Sequence, residues 1–162
     1  MDLSQFSGWL EERSFAVAIT ESTWMFPAIE VVHVFAIALV VGSIAMVDLR
    51  LLGWSNKNRP VSDLLSQFLP VTWSAFVIAA TSGALLFSSH ATKYYGDFPF
   101  RLKMICLVLA GVNMATFHLL TQRRIADWDI GVTPPGARTA GAISLLLWVT
   151  IVAAGRWIGF TT

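Results

Sequence analysis

The sequence predicts an all-α membrane protein: a four-transmembrane-helix bundle preceded by an interfacial amphipathic helix at the N-terminus. Three observations carry that prediction. Four apolar stretches, residues 24–47, 68–87, 104–120 and 140–160, approach or reach bilayer length; a spanning helix needs roughly 20 predominantly apolar residues. The composition is 56% hydrophobic and only 13% charged, which would leave a soluble domain with too much exposed apolar surface. The length, 162 residues, is one domain's worth, and four spanning helices use most of it.

The elements follow in order. In residues 3–19, Phe6, Trp9, Leu10 and Val17 share one helical face, with Glu11, Glu12 and Ser14 on the other side. That pattern suits a short helix lying in the interface. The first spanning helix is expected over about 23–52, with Ser22 as its N-cap and Pro27 in its early turns. The second is expected over about 66–89, after a loop at 56–63. The third covers about 99–123 and the fourth about 138–160, with a Pro-Pro-Gly turn at 134–136 ending helical continuation between them. Residues 88–101 read as a loop. Ala75, Ala79 and Gly83, and again Gly155 and Gly159, recur at four-residue spacing, which lets helix backbones approach closely.

Charge and cysteine exclude little. Lys and Arg total 11 against 10 for Asp and Glu, which gives no pull toward nucleic acid. The single cysteine, Cys106, allows no internal disulfide. The start of the chain lacks the basic region and short apolar run of a cleaved signal, so the first spanning helix is expected to insert the chain. Phosphate-cradling loops, paired-cysteine metal spacings and nucleophile elbows are missing. Orientation rests on a narrow margin. Arg50, Lys57, Arg59, Arg123, Arg124 and Arg138 flank one side, and Arg13, Lys93, Arg101, Lys103 and Arg156 the other. The excess places the termini outside the cytoplasm, the side called outer below.

The functional clues are ionisable residues inside the spans, each costing about 2.5–3.5 kcal/mol on insertion scales and normally facing the bundle interior. At about 1.5 Å per residue, Glu30 lies about 10 Å and His33 about 15 Å below the outer edge, Lys103 about 6 Å, and His118 about 28 Å. Arg156 sits near the depth of Lys103. Glu30, His33, Arg101, Lys103 and Arg156 thus form a candidate outer cluster. Glu30 and His33 share a face with Ile37 and Val40, and Lys103 shares one with Leu107, Ala110 and Met114. A histidine in an apolar shaft beneath a basic rim is how a membrane haem b is held: imidazole on iron, Arg or Lys on the propionates. On that reading His33 ligates haem iron, Glu30 tunes it, and Met104, Cys106 or Met114 are sixth-ligand candidates. The unequal depths of His33 and His118 argue against a shared iron. His118 falls nearer Asp48, where a His–Asp contact is expected, and His90 is expected in solvent.

His33, Glu30 and Lys103 also have plainer readings, as a buried hydrogen-bonded pair locking helices or a lysine snorkelling to the interface. Two rivals to the haem subunit therefore stay open: a cofactor-free accessory subunit of a larger membrane complex, and a metal-handling or transport protein. Expected partners are the lipid bilayer, other membrane subunits and a quinone, in a bacterial inner membrane.

HVFAIALVVGSIAMVDLRLLG, residues 33–53, resembles the first helix of HemJ-type protoporphyrinogen oxidases, and FRLKMICLVLAGVNMATFHLLTQRR, residues 100–124, resembles their third. CopD-like and cytochrome b561-like membrane families have a similar His-containing helix. The resemblance implies that His33 is the haem-ligating or catalytic histidine and Lys103 the third-helix lysine. The chain has Leu39-Val40-Val41-Gly42 where the HemJ pattern has Trp-Phe-Ala-Gly, and lacks that pattern's Asn-Glu-Pro segment. WMFPAIEVVHVFAIALVVGSIAMVDLRLLG, residues 24–53, more closely resembles an uncharacterised family of small bacterial four-helix membrane proteins, over nearly the whole chain.

Overall fold

The computed structural model describes residues 3–55 and 58–161, without the side chains of residues 3, 4, 122–124 and 161. Lys57 and the side chains of Arg123 and Arg124, which enter the charge count, lie outside the described residues. Among the described residues every regular element is helical. Four helices are long and apolar enough to cross a membrane.

The N-terminal segment forms two helices instead of one, α1 (Leu3–Glu11) and α2 (Ser14–Glu21). The Arg13 guanidinium lies 3.7 Å from the Trp9 ring centre at the break. Phe6, Trp9 and Val17 are exposed, free to enter the interface. The polar side does the docking: Glu11 Oε1 accepts from the Thr92 amide at 2.8 Å.

Helix α3 (Met25–Leu51) begins as its cap predicts, with Ser22 Oγ accepting from the Met25 amide at 3.2 Å. Helix α4 (Val61–Ser89) starts five residues before its expected position. Asp129, from the far inner loop, takes the Ser62 amide at 2.8 Å and the Ser62 hydroxyl at 2.6 Å, holding a first turn that local sequence alone would leave as loop. Residues 88–101 are not all loop, since α5 (Ala91–Gly96) forms within them. Helix α6 (Phe98–Thr116) passes into a wide turn at Phe117–Thr121 and a tight one at Gln122–Asp127. Pro135 and Gly136 open α7 (Pro135–Thr161) instead of stopping a helix. Proline lacks only an N–H that a first turn leaves unpaired anyway.

The bundle is two helix pairs, α3 along α4 and α6 along α7, joined by α3 against α7. Polar contacts pin each seam. Ser43 and Thr72 hydroxyls meet at 2.7 Å between α3 and α4, and Asn113 Nδ2 donates to the Ala140 carbonyl at 3.0 Å between α6 and α7. Gly141 lets α7 onto α3, where a Cβ would sit 3.2 Å from the Asp48 carbonyl oxygen. Small residues and interhelical hydrogen bonds do this work because lipid offers apolar side chains no competing solvent to escape.

At the inner end, Arg50 is 2% exposed. It donates to the Arg59 carbonyl (2.9 Å), the Asp129 carbonyl (3.2 Å) and Thr133 Oγ1 (3.3 Å), tying both inner loops to α3. The helix exteriors are apolar and exposed, as at Val34, Phe35, Val77, Val108, Val112, Leu146 and Val149, which is the surface a bilayer covers.

Candidate functional site

His33 is half-buried on the α3 face that also buries Ala36 and Val40. Its Nδ1 lies 3.0 Å from Ser82 Oγ. Ser82 has one hydroxyl proton, and its oxygen approaches the Ile78 carbonyl at 2.6 Å and the Ala79 carbonyl at 3.2 Å. A carbonyl can only accept, so with the proton spent there Ser82 Oγ can only accept from the imidazole. His33 therefore carries a proton on Nδ1. The ring also hydrogen-bonds the Ala79 carbonyl, and a carbonyl can only accept, so that bond too is donated by a ring N–H. The ring rests on Gly83: a Cβ there would stand 2.9 Å from Cε1 and 3.7 Å from Nε2.

Lys103 descends on α6 above Leu107, Ala110 and Met114, all buried or half-buried, so the predicted stripe does face the interior. Its ammonium crosses Gly155 of α7, 3.6 Å from where a Cβ would be, and interacts electrostatically with His33. Among the described residues no carboxylate or hydrogen-bond acceptor acts on it. The outer half thus holds, among the described residues, a half-buried cation without an anion and, within its electrostatic reach, an imidazole hydrogen-bonded to the neighbouring helix.

The rest of the predicted cluster disperses. Glu30 is exposed and acts on Tyr94. Burial first, and that carboxylate second, push the Tyr94 hydroxyl above its ordinary range. Arg101 is exposed and donates to the Gly96 carbonyl at 3.3 Å. Arg156 is exposed with its guanidinium 5.4 Å from the Phe160 ring centre. Snorkelling is the physical reason, since a long side chain near a helix end reaches polar surroundings at little cost. His90 is half-buried, where solvent exposure was expected. It contacts Ser89 Oγ at 3.0 Å and meets Phe26 and Tyr94 edge-on, in a group where Phe87 and Phe100 stack at 5.1 Å.

Met114 lies elsewhere, in the inner half, where it lines a cavity of about 150 Å³ with Asp48, Asn113, His118 and Ser144. The expected His118–Asp48 hydrogen bond is not made. His118 Nδ1 instead meets the Met114 carbonyl at 2.9 Å, one turn back on its own helix. Asp48 is 5% exposed, and Ser144 hydrogen-bonds its carboxyl group. The other oxygen, Oδ2, is buried with no partner. Cys106 is buried against Ala110 and Ile151, so it packs. No group of three or more His, Cys, Asp or Glu side chains suited to a metal ion occurs among the described residues.

The small-residue spacing pointed to Gly83 and Gly155 as packing devices, and they lie beneath His33 and Lys103 respectively. Ser82 and the orphaned Asp48 oxygen were missed. Both sit in apolar helix context where only a partner helix reveals their role.

The fold and its polar interior define a multi-pass helical membrane protein. Its family is DUF6644, a family of unknown function, whose sequence pattern matches residues 9–161; the chain belongs to it. That agrees with the resemblance to an uncharacterised family, and lends nothing to the HemJ or CopD resemblance. No curated protein matches the chain, and no solved structure does.

Proposed function

We propose that this protein is a haem b-binding redox subunit of a bacterial inner membrane, with its termini outside the cytoplasm. It would exchange electrons with a quinone or a neighbouring subunit. One observation carries the reading: a half-buried imidazole, held by Ser82, lies within electrostatic reach of a half-buried Lys103 ammonium that has no counter-charge among the described residues.

The donor set fits a haem held from one side. His33 would be the iron ligand, with Ser82 and the Ala79 carbonyl orienting its ring. Lys103 would supply a cation for a propionate. Met114 lines the inner cavity, which does not include His33, so it does not serve as sixth ligand. A macrocycle on His33 would use the half-exposed outer seam where His33 and Lys103 meet. Arg101 and Arg156, turned outward, are left to the headgroup region. When bound, haem supplies one-electron transfer; the chain's task is to hold it and set its surroundings.

The test is the visible spectrum of detergent-purified protein from haem-replete cells, oxidised and dithionite-reduced. A Soret band with reduced α and β bands, absent in His33→Ala, is expected. A colourless wild-type protein would overturn the reading.

A further inference from the structure

We infer that the inner cavity is a binding site for one hydroxyl- or carbonyl-bearing six-membered ring with an apolar tail, the headgroup chemistry of a prenylated quinone or quinol. It names the lipid-soluble partner of the redox reading, but the binding itself stands on the cavity alone.

Size comes first. At about 150 Å³ the space matches a cavity that takes one benzene-sized ring. It falls below the ~300 Å³ of a site that swallows a whole drug-sized ligand. Anything longer must leave part of itself outside. The walls supply an exit, because α4 and α6 scarcely touch, and the cavity residues Trp73, Phe76 and Gly111 on those two helices are exposed. The opening therefore faces the hydrocarbon layer, where an isoprenoid or acyl tail would lie. Trp73, Phe76, Phe117 and Trp148 give the lining the flat apolar surfaces that a ring stacks on.

The polar end comes from Asp48. Its Oδ2 is a buried group with no partner in a mostly apolar lining, and such a group costs free energy until something bonds it. As a carboxylate it accepts from a ring hydroxyl; as a carboxylic acid it donates to a ring carbonyl. Both members of a quinone couple thus match it. A second amide proton of Asn113 stays available, the first being given to Ala140. With Nδ1 of His118 donating to the Met114 carbonyl, His118 retains an accepting nitrogen. A plain lipid chain would fill the volume and leave Oδ2 orphaned.

The experiment titrates the full-length protein in nanodiscs with decyl-benzoquinone, read by quenching of tryptophan emission, with decane as a tail-only competitor. Saturable binding that decane does not displace is expected. Asp48→Leu, which removes the orphaned oxygen at similar volume, is expected to weaken binding about tenfold or more without lowering the melting temperature. Gly111→Leu, at a position where a Cβ meets nothing within 4 Å, blocks the mouth and should abolish binding. Absence of saturable binding, wild-type affinity in Asp48→Leu, or displacement by decane would each overturn the inference. Should Asp48→Leu not fold, unaltered binding in folded Gly111→Leu overturns it equally. His33→Ala protein is expected to bind the quinone like wild type, so failure of the haem reading and failure of this one are separable.

Discussion

The His33 imidazole lies against the backbone of Gly83, where a Cβ would stand 2.9 Å from Cε1 and 3.5 Å from Nδ1. In an ordinary helix interior, Gly→Ala gains up to about 1 kcal/mol. At residue 83 the added methyl must displace a ring that Ser82 holds at 3.0 Å, and overpacking of this kind costs about 1–3 kcal/mol. Gly83→Ala is therefore expected to lower the unfolding midpoint in detergent and to reduce haem content. Gly111→Ala, in open space, should leave stability unchanged or raise it. Equal midpoints for the two variants would refute the close approach.

Lys103 gives a prediction whose two readouts move in opposite directions. A half-buried cation with no counter-charge weakens the fold, so Lys103→Met, which keeps the aliphatic stem, should stabilise the haem-free protein by about 1 kcal/mol. The same change removes the propionate partner and should reduce haem occupancy in purified protein. A purely structural lysine would lose stability on substitution and leave occupancy alone. Denaturant midpoints and the ratio of Soret to protein absorbance measure the two.

The spans and the buried stripe from Lys103 to Met114 were legible in sequence, because bilayer length and a helical period of about 3.6 residues leave a one-dimensional imprint. So was Ser22 as a cap. The start of α4 was not, because Asp129, 67 positions away from Ser62, holds it. Glu30 shares a helical face with His33 in projection, but its carboxylate is exposed and acts on Tyr94. Depth along helices put His33 and Lys103 in one outer cluster, and the two interact electrostatically, but depth could not tell inward cations from outward ones. Asp48 entered the sequence reading only as a contact for His118; the packing of Gly141 against its backbone and the Ser144 hydrogen bond, both from α7, go with its burial.

Tyr94 reports on the outer end. Burial and the Glu30 carboxylate both raise its ionisation above the ordinary value of about 10. With Tyr95→Phe removing the other tyrosine, absorbance near 295 nm should titrate late and in one step. Adding Glu30→Gln should move the midpoint down part of the way, since burial is the larger cause. An unmoved midpoint would mean that Glu30 does not face Tyr94.

Arg50 and Asp129 set the acid sensitivity of the inner end. Asp129 is held below the ordinary carboxylate range, chiefly by the Ser62 hydroxyl and amide, with a smaller contribution from Arg50. A folded-state value depressed below the unfolded one stabilises the fold above the unfolded pKa, about 3.9. That contribution disappears as pH falls through the folded value. Asp129→Asn should thus melt below wild type at pH 7, with the gap closing below about pH 4. Solvent screening at this half-exposed site keeps the gap under about 1 kcal/mol. Arg50→Ala acts through different chemistry, leaving the Arg59 and Asp129 carbonyls and Thr133 without their donor. It should cost about 3 kcal/mol at pH 7, well above the Asp129→Asn gap. Thermal melts of the three proteins from pH 3 to pH 7 separate the cases. A wild-type-to-Asp129→Asn gap that widens in acid would show that Ser62 and Asp129 do not hold the first turn of α4.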